Sequence, residues 1–165
     1  MATAPGTPSL FPIRRAVPAD APLLHALQQR AFAEEGRLSG SAAIRPLAEG
    51  VDAIRHHIAT QTVLKALDGE RIVGAGRGLV DGAVCTLRGI CVEPSHQGRG
   101  IGAALLRAVE DAHPQAERFL LTTNTLVPGN VAFYERRGYQ VDTLTRYLDR
   151  VVLAQMSKPA RSKNS

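Results

Sequence analysis

A glycine-rich segment in the middle of the chain has the residue types of an anion-binding loop. Gln97-Gly-Arg-Gly-Ile-Gly102 follows an apolar strand that ends at Val92 and opens an amphipathic helix with Leu105 and Leu106 on its apolar face. Glycines allow positive φ angles and a close approach of the backbone to a ligand. Free N–H groups and the positive dipole end at a helix start favour phosphate. The pattern therefore predicts a phosphate site; the alternative is a tight turn that only packs the helix on the sheet.

Two other phosphate-binding motifs can be compared with these glycines. Gly98, Gly100 and Ala103 formally fit a dinucleotide fingerprint. However, the stretch from Val92 to Gly98 is long for a tight strand-to-helix turn, and the motif lies outside the first strand–helix unit. The strand at 119–124 also lacks the acidic residue that would hold a ribose. No Gly-Lys-Ser/Thr follows the glycines, so a Walker A loop is absent.

Two segments together resemble the signatures of one enzyme family. Gln97–Gly102 resembles the Gln/Arg-x-x-Gly-x-Gly/Ala signature of the GNAT superfamily of N-acetyltransferases, and Ile90–Pro94 resembles the end of that family's splayed fourth strand. Asn130–Tyr139, which reads Asn-Val-Ala-Phe-Tyr-Glu-Arg-Arg-Gly-Tyr, is similar to its second signature. The element order resembles the family over residues 13–156, and the match is sharp over 87–139. The chain is thereby identified as a member of the superfamily.

The resemblance implies acetyl-CoA as the co-substrate, with its pyrophosphate on the backbone amides of the glycine loop. Its pantetheine arm would bond the main chain of Ile90 and Val92, like an added strand. Asn130 would reach the cofactor unless it is only a helix N-cap, and Arg99 would pair a phosphate unless it is solvated. The candidate cofactor-binding residues are Ile90, Cys91, Val92, Gln97, Gly98, Arg99, Gly100, Ile101, Gly102, Ala103, Asn130 and Phe133.

The resemblance also implies a catalytic role for Tyr134. One turn into the short helix, its side chain would point toward the cofactor sulfur. A phenol is neutral at pH 7 and can donate a proton to a leaving thiolate as a general acid. The alternative is a core aromatic that packs beside Phe133.

The general base stays open at the level of sequence. Many members of the family carry a carboxylate on the strand before the glycine loop, where this chain reads Cys-Thr-Leu-Arg-Gly-Ile-Cys over 85–91. The candidates are Glu34 and Glu35 at the end of the first helix, Glu93 after the strand, or a water relay. One of these must remove a proton, because an ammonium cannot attack a carbonyl.

Neither the cysteines nor the histidines have the spacing of a metal site, so no metal is predicted. Cys85 and Cys91 match no metal knuckle and are expected to be small buried residues. His56 and His57 are sequence neighbours that face different directions on a helix. Structural or solvated roles are also expected for the remaining histidines, which are His25, His96 and His113.

The elements that must position these residues alternate between strand and helix periodicity. Asp20 is expected to cap the first helix, residues 36–46 are expected to form a loop, and Asp68-Gly69 predicts a hairpin turn. The resulting order, β-α-α-β-β-β-α-β-α-β-β, predicts one α/β (α+β) domain. With the family resemblance, the expected fold is GNAT-like: a mixed, mostly antiparallel sheet of about seven strands flanked by about four helices.

Composition agrees with one ordinary globular domain of 165 residues, 44% hydrophobic and 21% charged. The net charge is +5, but Lys158, Arg161 and Lys163 supply three of those charges, and aromatic residues are only 4%. A nucleic-acid partner is therefore not expected. The predicted organisation is a flexible leader over 1–12, the acetyltransferase domain over 13–156, and a basic flexible tail over 157–165.

No apolar window approaches the length of a membrane span, and no signal peptide is read, so a cytoplasmic protein without a membrane partner is expected. The predicted activity is direct transfer of acetyl from acetyl-CoA to a primary amine of a small molecule. The alternatives are a non-catalytic acyl-CoA-binding or sensing module, and a protein N-acetyltransferase, which rests on the basic tail. A homodimer is compatible with the sequence.

Overall fold

The described residues form a sheet of seven strands with helices on both faces. The computed structural model describes residues 11–41 and 44–161. The strands are β1 (Ile13–Arg15), β2 (Thr62–Asp68), β3 (Arg71–Asp81), β4 (Val84–Val92), β5 (Arg118–Asn124), β6 (Gln140–Leu148) and β7 (Val151–Pro159). The helices are α1 (Ala21–Ala31), α2 (Ala33–Ser39), α3 (Arg45–Ala48), α4 (Val51–Thr60), α5 (Ile101–Asp111) and α6 (Asn130–Glu135).

The strand order in the sheet is β1-β2-β3-β4-β5-β7-β6. Neighbours are antiparallel except β4 and β5, which are parallel and are joined by the α5 crossover that a parallel pair requires. The β2–β3 hairpin turns at Gly69, which adopts the positive φ of 61° that this turn demands. The predicted mixed, mostly antiparallel fold is confirmed.

Strands β2, β3 and β4 lie between two helical layers. On one face, α5 packs Leu105 and Leu106 into a core that includes Val73 of β3. On the other face, α1 and α4 pack against neighbouring residues of the same strands, such as Ile72. Successive residues of a strand point to opposite faces, so a strand covered on both sides reads as a continuous apolar run. This arrangement covers β4 with helices on both faces of the sheet.

The described residues form six helices, where the sequence predicts about four. The two additional helices, α2 and α3, overlap the predicted loop over 36–46. Gly40 ends α2 with a positive φ of 69°, which is the ordinary C-terminal signal of a helix. The Gln28 amide donates to Pro46 O at 3.0 Å and the Gln29 amide to Leu47 O at 3.1 Å. These contacts with α1 hold α3 in place. The local sequence has no apolar periodicity that would predict them.

Asp20 precedes α1 as predicted, but its carboxylate does not cap the helix. It accepts the Val17 N–H at 2.8 Å and pairs with Lys65 at 2.7 Å. The side chain therefore closes a one-turn 3-10 helix over Pro18–Asp20 and connects it to β2.

Packing extends past residues 13–156, the predicted bounds of the acetyltransferase domain, at both ends of the described chain. Phe11 is buried, and Pro12 O accepts the Leu67 N–H at 2.9 Å, so these two residues pack on the fold. At the other end β7 continues to Pro159, and Lys158 pairs with buried Glu110 at 2.8 Å. A polar segment looks like a tail in the sequence, but pairing with β5 satisfies its backbone. Residues 1–10 and 162–165 lie outside the described residues.

None of the helices within residues 11–41 and 44–161 combines the length and the apolar character that a membrane crossing needs.

Candidate active site

The wedge between β4 and β5 is the opening around which the candidate site is built. The two strands pair only over Val84–Thr86 and Arg118–Leu120. Beyond these residues β4 stays paired with β3, and β5 stays paired with β7. A parallel pair that separates in this way leaves unpaired backbone along both walls.

A bulge in β4 marks the place where the strand turns away from β5. Two residues, Gly89 and Ile90, stand opposite the single residue Gly76 of β3. Gly89 has a positive φ of 67°, which glycine adopts at little cost. Bulges bend a strand and increase its twist, so Gly89 is a local cause of the wedge.

The main chain of β4 beyond the bulge alternates between β3 and the wedge. The Glu93 N–H donates to Val73 O at 2.8 Å, so the backbone groups of Glu93 face β3. By the alternation of antiparallel strands, those of Cys91 also face β3, while those of Ile90 and Val92 face the wedge. The wedge therefore has free N–H and C=O groups along its β4 wall.

A cavity of about 450 Å³ occupies the wedge. This volume lies within the ordinary range for a small-molecule site. Its lining includes Ile90, Asn130 and Tyr134 of the predicted site, together with Glu35 from α2. The predicted loop at 97–103 does not line it.

Tyr134 reaches the cavity because α6 begins immediately after Gly129, whose φ of 82° turns the chain. Its ring packs edge-on against Phe133 and Tyr139, with centroids 5.0 and 6.0 Å away. Burial, and then the nearby Glu35 carboxylate, raise the Tyr134 pKa to about 12. The hydroxyl therefore keeps its proton across the physiological pH range and can act as a donor.

Glu35 faces the same cavity from α2. Burial raises the pKa of its carboxyl group, and the nearby Asn124 side chain opposes part of that shift. A carboxylate with a raised pKa is a better proton acceptor at neutral pH than a solvated one. Its neighbour Glu34 is exposed, pairs with Arg37 at 2.8 Å, and is absent from the cavity lining.

Glu93 lies elsewhere as well. Its side chain is only 6% exposed and forms a two-pronged ion pair with Arg30, at 2.9 and 2.7 Å. The hydrogen bond from Arg30 lowers the pKa of the Glu93 carboxyl group. Of the three carboxylates predicted as candidate bases, the structure brings only Glu35 to the cavity.

The glycine loop has the geometry of an anion cradle. Gly98 and Gly100 have φ angles of 79° and 82°, and a Cβ added at either position would meet nothing within 4 Å. Residues 97–100 are exposed, so backbone amides near the start of α5 are open to a ligand. The Ile101 side chain is buried in the core, so only its backbone is available. These residues fit the pyrophosphate of acetyl-CoA.

Two other predicted cofactor contacts need qualification. Asn130 does not cap α6, because Gly129 occupies the N-cap position, and the Asn130 amide instead donates to Thr123 Oγ1 at 3.2 Å.

Cys91 lies outside the cavity, in the core beneath α1 and α4, where burial raises its pKa to about 12. The one-residue alternation of β4 turns both its side chain and its backbone away from the wedge. Phe133 and Val92 instead pack on Gly102, each 3.7 Å from the place of an added Cβ.

The described histidines that make side-chain hydrogen bonds do so with structural partners. His57 Nε2 lies 2.6 Å from Glu49, His96 Nε2 lies 2.9 Å from Asp68, and His113 Nδ1 lies 2.7 Å from Val109 O. Within the described ranges, no group of three or more His, Cys, Asp and Glu side chains is arranged to hold a metal ion.

Three arginines at the cavity were missed by sequence reasoning. Arg45, Arg77 and Arg88 come from α3, β3 and β4 and all line the cavity. Arg77 and Arg88 could have been noticed in the sequence, because each is a charged residue in the middle of an otherwise apolar strand. Such a residue must face a polar site or a partner if the strand is buried on both faces.

Comparison with known proteins assigns the family. A sequence profile of the acetyltransferase (GNAT) domain matches residues 59–141, half of the chain. The chain belongs to the GNAT acetyltransferase family. The predicted family is thus confirmed, and the matched region contains the bulge, the wedge and Tyr134.

Two Bacillus subtilis relatives are similar to part of the chain. YjcF, described as an uncharacterized N-acetyltransferase, is 37% identical over 84 residues, which cover 50% of this chain and 58% of YjcF. The uncharacterized protein YdhI is 39% identical over 72 residues, covering 42% of this chain and 43% of YdhI. The chain thus spans about half the length of the curated relatives it matches.

Solved GNAT structures share the fold over nearly the whole chain. The Escherichia coli ribosomal-protein-S18-alanine N-acetyltransferase superposes with a TM-score of 0.71, 21% identity, and coverage of 94% of this chain and 98% of its own. The PaiA N-acetyltransferase of Thermoplasma acidophilum, solved with coenzyme A, superposes with a TM-score of 0.75 and 14% identity. The match covers 90% of this chain and 98% of the PaiA chain. At these identities the likeness shows the GNAT fold.

Proposed function

We propose that this GNAT protein transfers an acetyl group directly from acetyl-CoA to a primary amine of a small-molecule acceptor. The observation that carries the proposal is the cavity in the β4–β5 wedge, which both Tyr134 and Glu35 line. A proton donor and a proton acceptor facing one cavity are what amine acetylation requires.

The chain's backbone binds the cofactor in this proposal. Acetyl-CoA supplies an acetyl group activated as a thioester. The amides of residues 97–103 hold the pyrophosphate, and Ile90 and Val92 hold the pantetheine arm as if it were an added strand. The Val92 N–H then lies near the thioester carbonyl, where a fixed donor stabilises developing negative charge. Family membership and the free backbone of the β4 wall support this arrangement.

Glu35 and Tyr134 handle the protons. Glu35 takes the proton that the acceptor ammonium must lose before its nitrogen can attack. Tyr134 donates from its hydroxyl to the sulfur that leaves. Because the Tyr134 pKa is about 12, the phenolate left by this transfer regains a proton readily. Both groups exchange protons with solvent between turnovers.

The test is release of free coenzyme A thiol over a panel of amines, amino acids, polyamines, aminoglycosides and peptides. We expect amine-dependent release, with initial-rate lines that intersect as direct transfer in a ternary complex requires. Thermal stabilisation by acetyl-CoA without thiol release from any amine would instead identify a binding module. Turnover of peptides alone would replace the small-molecule acceptor with a protein.

A further inference from the structure

Three arginine side chains gather at the part of the cavity formed by α3, β3 and β4. Arg45, Arg77 and Arg88 all line it, and Glu49 is the carboxylate beside them. Burial lowers the pKa of the Arg88 guanidinium, and the positive charges of Arg45 and Arg77 lower it further. Like charges are therefore held together here at a cost in free energy.

Arg77 is the most buried member of the group. Its side chain is 7% exposed, and its Nη1 lies so close to Gly89 that a Cβ there would stand 2.9 Å away. Its Nη2 donates to Glu49 Oε1 at 3.3 Å, and within the described residues its Nε has no hydrogen-bond partner. A buried guanidinium with five donors is normally paired and hydrogen-bonded more fully than this.

Glu49 is shared with a second residue, so it does not neutralise the cluster. Its Oε2 lies 2.6 Å from His57 Nε2. Burial, and then the charge of Arg77, lower the His57 pKa, so His57 is neutral at physiological pH. The Gln61 amide lies 3.2 Å from His57 Nδ1, which leaves the proton on Nε2 to donate to Glu49. Glu49 is thus the carboxylate that contacts the three-arginine cluster, and part of its hydrogen-bonding capacity is taken by His57.

The arginine cluster shares the cavity with Glu35 and Tyr134, but none of its members has a part in the proposed cofactor binding or proton transfer. The glycine loop that fits the pyrophosphate does not line this cavity. Glu35 lines it, but its pKa responds to burial and to Asn124 and not to any of the three arginines. The positive charge is therefore available to a group that enters the cavity with the acceptor.

We infer that the acceptor carries an oxyanion in addition to its amine, and that Arg45, Arg77 and Arg88 bind this oxyanion while the amine faces Glu35 and Tyr134. Guanidinium groups match the geometry of carboxylate and phosphate oxygens, which are the two sources of this chemistry. A cavity of about 450 Å³ holds a compact molecule of this kind. The inference rests on the proposed acetyltransferase function and deepens it.

The experiment compares matched amines in the thiol-release assay. One arm pairs free amino acids with their amides, and the other pairs phosphoethanolamine with ethanolamine. The variants are Arg88→Gln and Arg45→Gln, which avoid the buried Arg77. The matched control is Arg107→Gln, on the outer face of α5, where its partner is Asp111 at 3.1 Å. A parallel arm measures thermal stabilisation by N-acetyl amino acids and by their amides.

We expect the wild type to prefer one anionic series, which identifies carboxylate or phosphate as the source. Arg88→Gln should raise KM for that series about 10- to 100-fold and leave the neutral partner unchanged. Equal use of anionic and neutral amines in both arms would overturn the inference and leave the acetyltransferase proposal standing. Without any turnover, Arg88-dependent binding of N-acetyl carboxylates would retain the oxyanion site and reject the activity. Absence of both would reject both.

Discussion

The two sides of the β4–β5 wedge are built in different ways. The side proposed to hold the cofactor comes from two continuous runs, 90–103 and 130–134, and offers mainly backbone groups. The side proposed to hold the acceptor takes single side chains, among them Glu35 and Arg77, from elements far apart in the chain. Recognition by backbone needs glycines and a helix start at fixed spacing, so it leaves a motif. Recognition by side chains needs only that separate elements meet, so it leaves none.

The largest effect is expected at Tyr134, which the two sides share. Tyr134→Phe keeps the ring packing on Phe133 and Tyr139 but removes the donor at the sulfur. A general acid contributes about 10²–10⁴-fold, so kcat should fall by that order while acetyl-CoA affinity stays nearly unchanged. Steady-state kinetics at saturating substrates measure this.

The control is Tyr139→Phe, since that hydroxyl is buried against Glu110 at 2.8 Å and is not at the cavity. It should lower stability and leave kcat within about twofold. Wild-type kcat in Tyr134→Phe, with chemistry rate-limiting, would make Tyr134 a packing residue.

A second change tests the acceptor side through its pH profile. Glu35 can accept a proton only when ionised, and its pKa is raised, so kcat/KM should climb as the pH rises through that elevated value. Glu35→Gln should lower kcat/KM by about 10² at neutral pH and remove this group's contribution to the acid limb. Glu34→Gln, one residue away but exposed and paired with Arg37, is the matched control. If both variants keep the wild-type profile, the base is water.

A third change should act on the cofactor side alone. Acetyl-CoA at 100 times its Kd should add about 2.7 kcal/mol to the free energy of unfolding. Gly100→Val should abolish this gain, because a β-branched side chain both strains the positive φ and fills the loop. Gly69→Val carries similar strain at φ 61° in the β2–β3 turn and should keep the gain. Equal ligand stabilisation in the two variants would exclude the glycine loop as the cofactor site.

The smallest effect is expected at Cys91, which lies between Ile90 and Val92 on β4 but faces away from the wedge. Cys91→Ala should cost about 1 kcal/mol of stability through lost packing beneath α1 and α4. Calorimetry should find the affinity for acetyl-CoA unchanged. A tenfold weaker affinity would contradict this prediction, because it would mean that Cys91 contributes to acetyl-CoA binding as Ile90 and Val92 are proposed to do.

The elements that bear the motifs could be predicted because their signals are local. The Asp68-Gly69 turn, the glycines at 98 and 100 and the apolar face of α5 each act within a few residues. The helices α2 and α3 could not be predicted in the same way. They are short, and contacts such as Gln28 with Pro46 O hold them in place. Glu35 and Arg45 of these helices line the cavity, so the proposed acceptor side could not be predicted either.

By itself, the sequence determined the family, through two segments that resemble its signatures, and the mixed sheet, through the alternation of strand and helix periodicity. It also predicted the glycine loop as the cofactor site, because backbone geometry follows from glycine positions. Only the tertiary structure decided which of Glu34, Glu35 and Glu93 faces the cavity, since three similar carboxylates differ only in what packs around them. It also decided that Arg45, Arg77 and Arg88 meet. Residues on three separate elements become neighbours only when burial of the sheet between its helical layers brings those elements together.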